Sequence, residues 1–98
     1  MYTRDQMLKM THGFTDWAAV INDYRTKHYK LRPDKKGRLR ANHGEIMISL
    51  SQKTGIHVTH LYSLRRNVCE PHERNELRLI QLALDENLPC IASLKQLI

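Results

Sequence analysis

Trp17, Val20, Ile21, Tyr24 and His28 recur at i, i+3, i+4, i+7 and i+11 along the chain. A 3.6-residue helix places those five side chains on one face, and an aromatic and aliphatic face must be buried against other elements. In a chain of 98 residues the partners must come from the same small body. At that length folding buries on the order of 65 % of the unfolded surface, enough for a helical core without staples. The composition fits such a core, with 41 % hydrophobic and 27 % charged residues. The expectation is an all-α, single-domain bundle of five to six short helices spanning residues 1–98.

Other helices follow from their end signals. Thr3 with Gln6 three residues on is a capping box, and Gly13 would close the helix it opens. Thr15 can cap the Trp17 helix, with Asp16 at its positive end. Asn42 is placed to cap a third helix from about His43 to Lys53, with Glu45 in its first turn. Gly55 interrupts the pattern, and a fourth helix is expected from about Val58 to Asn67. Pro71 suits the first turn of a fifth helix reaching about Glu86. Its apolar residues Leu77, Leu79, Ile80, Leu82, Ala83 and Leu84 spread beyond one stripe, as in a helix buried on two sides. Pro89 opens a last short segment, and residues 70–98 are assigned to core and dimerisation helices.

Charge is concentrated. Sixteen Lys and Arg against ten Asp and Glu leave +6. From Met1 to Tyr24 two basic and three acidic residues give −1, and from Asn67 to Ile98 three and five give −2. Between them, Arg25 to Arg66 holds eleven basic and two acidic residues, or +9. A basic centre with acidic flanks points to one positive face and an anionic partner. Within it, residues 30–42 (KLRPDKKGRLRAN) carry the turn residues Pro33, Asp34 and Gly37 among six basic side chains. Leu31 and Leu39 could flank a short hairpin, but the segment is read as a basic loop.

Residues 47–66, MISLSQKTGIHVTHLYSLRR, hold the motif that carries a function. Two helices crossing closely around a tight turn need a small residue in the first helix. Four positions later they need Gly, because the turn takes a residue tolerant of positive φ. Ser51 and Gly55 meet those needs, and Leu50, Ile56, Leu61 and Leu64 fill the apolar positions that lock the helices together. This stretch resembles the helix-turn-helix of phage repressor and Cro-type DNA-binding proteins. Two features depart from that pattern. The basic segment 30–42 stands where such proteins usually have a short loop, and Met47 and Ile48 are apolar where a polar groove-rim residue is common.

The resemblance implies that the second motif helix, around residues 57–67, lies in the major groove with its N-terminal residues at base edges. Carried over by position, His57, Thr59, His60, Tyr62, Ser63, Arg65 and Arg66 would face bases or phosphates. Arg66 is equipped for a bidentate guanine contact. Gln52 and Lys53 would touch the backbone, and Lys35, Lys36, Arg38 and Arg40 would lie along phosphates or reach a minor groove. The implied partner is double-stranded DNA and the implied function sequence-specific transcriptional regulation, by repression, in the cytoplasm of a bacterial or phage-infected cell. Ile91, Leu94, Leu97 and Ile98 are expected to form a homodimer interface, matching two-fold operators.

Rival constellations are weaker. His57-x-x-His60 and Cys69-x-x-His72 give four donors at zinc-like spacing. A closed tetrahedral site there would draw the proposed reading helix out of a groove, so no metal and no cofactor is expected. No paired carboxylates, phosphate loop or nucleophile-with-base motif suggests an enzyme. Two cysteines, Cys69 and Cys90, read as reduced intracellular thiols, and no apolar run of about 18 residues suggests a membrane span. The alternative of a different class is a small helical adaptor or inhibitor that binds a protein partner through the apolar C-terminal helices.

Overall fold

The computed structural model of the chain describes residues 2–92. Five helices occur there: α1 (Arg4–Gly13), α2 (Trp17–His28), α3 (His43–Thr54), α4 (Val58–Arg65) and α5 (Glu73–Asp85), followed by a 3-10 turn, Pro89–Ile91. Between α2 and α3 stand two strands, β1 (Leu31–Pro33) and β2 (Leu39–Ala41), paired antiparallel with Arg32 opposite Arg40. The chain is therefore mostly helical, as expected in outline, with one small hairpin in place of the basic loop expected at 30–42. No helix among the described residues is long and apolar enough to cross a membrane.

Local chemistry fixes the helix ends. Thr3 Oγ1 accepts from the Gln6 amide while Gln6 Oε1 accepts from the Thr3 amide, the reciprocal pair expected. At α2 the cap is Asp16 rather than Thr15. Its carboxylate accepts from the Ala19 amide at 3.2 Å and adds a negative charge at the positive helix end. Helix α4 stops at Arg65, short of the expected Asn67, because Asn67 takes a left-handed conformation with φ 57°. The Asn67 amide then donates to Leu64 C=O and the Val68 amide to Ser63 C=O, a Schellman closure. Asn87, with φ 52°, closes α5 in the same way, its own amide reaching Leu84 C=O and that of Leu88 reaching Ala83 C=O. Pro71 lies just outside α5, whose cap is His72.

Helix α2 is the hub, packed against α3, α4, α5 and the 3-10 turn. Trp17, Val20, Ile21 and Tyr24 are buried as their spacing requires, and Phe14 meets the Trp17 ring edge-on at 4.8 Å. The Tyr24 hydroxyl is satisfied by Ser49 Oγ at 2.9 Å. His28, expected on the same buried face, sits at its margin, half-buried and bonded to Glu86. Helix α5 packs against α1 and against α2 and α3, which accounts for its wide apolar surface. Ile91, expected at a dimer surface, is fully buried in the chain's own core and is not available there. Leu94, Leu97 and Ile98 lie outside the described residues.

Glu86, at the C-terminus of α5, gathers two lysines and a histidine. Lys27 Nζ and Lys53 Nζ each approach its carboxylate at 2.8 Å and His28 Nε2 at 3.2 Å. A carboxylate opposes the helix dipole at that end, so cations must outweigh the dipole. Lys27 also donates to Glu86 C=O at 2.6 Å, capping the helix directly. Chiefly through the Lys27 and Lys53 bonds, the carboxyl pKa is held down at about 2 against an ordinary 4.5. A carboxyl depressed in the folded state stabilises the fold above its unfolded value and loses that contribution as pH falls toward the folded value. Replacing Glu86 by Gln is expected to cost about 1–2 kcal/mol at neutral pH, since the lysines are partly solvent-screened. In urea titrations the gap between wild type and E86Q should close as pH drops from 4.5 to about 2. A gap independent of pH would exclude the ion-pair origin.

Candidate functional site

The α3–α4 turn is built from residues 51–57. The Gly55 amide donates to Ser51 C=O at 2.8 Å, and Gly55 takes φ 73°. Two hydroxyls complete the turn. Ser51 Oγ donates to Ile56 C=O at 2.6 Å, while Thr54 Oγ1 donates to Leu50 C=O and accepts from the Ile56 amide. The motif asks of Ser51 only that it be small; here its hydroxyl also closes the turn. Ile56, Leu50, Leu61 and Leu64 are buried, so both helices are anchored from below. Met47, one of the two apolar departures, is a core residue, and Ile48 stays 53 % exposed.

Leu61 and Leu64 define the inner side of α4 and leave a definite outer one. Thr59, Ser63 and Arg66 follow at i, i+4 and i+7, with Tyr62 beside them. Thr59 and Arg66 are exposed, and Tyr62 and Ser63 are half-buried. The Ser63 hydroxyl donates to Thr59 C=O at 3.2 Å, and other expected contacts are likewise engaged within the fold. His57 caps α4 through Nδ1, which accepts from the Thr59 amide. His60 is half-buried beside Cys69, with Nδ1 3.8 Å from the sulfur. Arg65 Nε donates toward Asn22 Oδ1 at 3.4 Å. Gln52 is exposed on α3, while Lys53 is drawn to Glu86 and lies 5.3 Å from the Tyr24 ring centre. The Glu86 bond chiefly raises the Lys53 pKa.

The hairpin is prefolded around Asp34. Its Oδ1 accepts from the Lys36 and Arg38 amides, both at 2.8 Å, and its Oδ2 accepts from Arg40 Nε at 3.0 Å. These bonds, the Arg38 amide first, lower the Asp34 pKa. Gly37 closes the tip with φ 79°, its amide donating to Asp34 C=O. Arg38 and Arg40 are thus paired with an acid, and Lys35 and Lys36 at the tip have no acidic partner among the described residues. At the base, Asn42 Oδ1 accepts from the Lys30 amide and its Nδ2 donates to His28 C=O. Asn42 therefore clasps the hairpin instead of capping α3 with its side chain.

Beside α4, Arg65 meets five residues that the sequence did not single out as contacts. Asn22, Arg25, Thr26, Tyr29, His43 and Arg65 line an open groove of about 490 Å³ with no Asp or Glu among them. Arg25 Nη2 donates to His43 Nδ1 at 2.7 Å. A guanidinium only donates, so His43 Nδ1 is the acceptor in this bond. Desolvation, and then the charge of Arg65, lower the Arg25 pKa. No group of three or more His, Cys, Asp or Glu side chains converges on a metal-sized site among the described residues. His60 and Cys69 meet, but His57 is turned to its capping role.

The turn yields a direct prediction. A Cβ on Gly55 would lie 3.3 Å from Arg78 Nη1 and would force a left-handed φ on an alanine. G55A should lose about 1–2 kcal/mol, the cost of that backbone conformation for an L-residue. G55N should lose less, since Asn tolerates it. Truncating Arg78 to Ala should not rescue G55A in urea denaturation. Full rescue would assign the cost to crowding by Arg78 instead. Compared with family models, curated proteins and solved structures, the chain finds no match.

Proposed function

We propose that this chain is a sequence-specific double-stranded DNA-binding regulator that reads the major groove with α4. The observation that carries the reading is the outer side of α4, where Thr59, Ser63 and Arg66 stand opposite the buried Leu61 and Leu64, with Tyr62 half-buried against the edge of the core. Arg66 is exposed and makes no ion pair among the described residues, so its guanidinium is free to fork onto a guanine. Support also comes from the likeness of residues 47–66 to the repressor and Cro-type helix-turn-helix, and from the basic hairpin entering α3. Lys35 and Lys36, at its tip with no acidic partner among the described residues, are suited to phosphate contacts that hold the duplex without reading it. Binding is the whole activity, and repression would follow from occluding a promoter-proximal site. A homodimer on two half-sites about 34 Å apart completes the proposal.

Selection from a random duplex pool at low salt, paired with a solution mass measurement, tests the reading. A palindromic winner bound by a dimer is the expected result. R66A should relax preference at one base pair, by about 1–3 kcal/mol of discrimination. Replacing Lys35 and Lys36 together should weaken binding almost equally across sequences. The log–log salt slope should flatten by about 0.9 for each phosphate that is no longer neutralised. A folded chain that retains no duplex at low salt would sink the proposal and leave the protein-adaptor alternative.

A further inference from the structure

Arg25 and Arg65 come from different helices, α2 and α4, and line one groove that holds no carboxylate. Elsewhere in the chain, bases next to acids are paired: Lys27 and Lys53 with Glu86, Arg32 with Glu45, Arg38 and Arg40 with Asp34. Here two guanidiniums face each other's field, and the hydrogen-bond partner of Arg25 is an imidazole nitrogen, not a carboxylate. Arg25 Nε is buried and has no hydrogen-bond partner, an expensive arrangement for a charged donor group. Like charges held together without a counter-charge destabilise the fold and are characteristic of sites that take an anion. Around them stand neutral donors suited to oxygen, the Tyr29 phenol and the Asn22 amide, while the Thr26 hydroxyl donates within α2 to Asn22 C=O at 2.9 Å.

We propose that the groove between α2, the start of α3 and the end of α4 binds a phosphate group, clamped between Arg25 and Arg65 with His43 holding the Arg25 fork in place. The inference rests on the DNA-binding reading for the source of that phosphate, a backbone diester beside the bases faced by α4. Arg65 and Arg66 are adjacent at the end of that helix, Arg65 turned to the groove and Arg66 exposed. One backbone contact beside one base contact would set how far α4 enters a major groove. Arg25 and Arg65 thus act as positioning residues for readout, not as readers of sequence.

Two measurements test this on the whole chain. In the first, affinity for duplex DNA is followed against salt for wild type, R25Q and R65Q, with folding checked by circular dichroism. Each variant should lose affinity evenly across sequences and flatten the log–log salt slope by about 0.9. R25K, which keeps the charge but loses the fork, should keep more of the slope than R25Q. Wild-type slopes in folded R25Q and R65Q would overturn the proposal, and R65Q alone decides if R25Q does not fold. In the second, inorganic phosphate is titrated while the Arg25 and Arg65 Nε–H and His43 ring resonances are followed. Saturable shifts that R65Q abolishes are expected. If wild type binds no duplex, the DNA reading fails by itself and this titration decides the groove. Shifts would then keep it as a site for a free phosphate, and their absence would overturn it.

Discussion

Burial of one face of α2 organises the molecule. Trp17, Val20, Ile21 and Tyr24 reach the core from a helix that touches α3, α4, α5 and the 3-10 turn. Each apolar side chain of that size contributes about 1.5–3 kcal/mol on leaving water, so the elements that touch α2 cannot be placed independently of it. The same geometry disposes of the helix's charges. Arg25, Lys27 and His28 share its last turn, where cations suit the helix dipole. Because the helix is surrounded, they are driven to its margins in opposite directions. Lys27 and His28 turn to Glu86. Arg25 turns to His43 and Arg65.

Those two margins differ in kind. At Glu86 the charges are matched, and the result is a clamp between the ends of α2, α3 and α5. At Arg25 they are unmatched, and the result is a polar groove beside the helix proposed to read DNA. Stability lies on one side of α2 and the proposed binding on the other. A chain of this size has few elements to spare, and giving one helix both tasks is economical in sequence length.

Much of the fold was legible because it is governed by nearby residues. The periodicity from Trp17 to Tyr24, the Thr3–Gln6 box and the Ser51–Gly55 spacing all act within one or two helical turns. What escaped depends on contacts distant in sequence or on a single side chain. The hairpin escaped because its strands are three residues long, too short for alternation to show, and because Asp34 holds it by bonds to residues two to six positions on. Ile91 carried a surface assignment from its place in an apolar C-terminal run, whereas the 3-10 turn after Leu88 folds it inward. At the candidate site, Thr59, Ser63 and Arg66 were named from the resemblance to the helix-turn-helix. Arg25 and His43 were not, since nothing local links residues 18 positions apart.

Asp34 has a consequence beyond holding a turn. A run such as residues 30–42, with six basic residues and one acid, would otherwise repel itself into an extended, fluctuating tail. One carboxylate ties down two amides and two guanidiniums, and Asn42 ties the base. The positive charges are thereby carried on a stiff arm at fixed intervals. Meeting an anionic surface then demands little loss of chain freedom, because most of the ordering happened at folding. The single negative charge in the hairpin weakens its long-range pull and sharpens its fit.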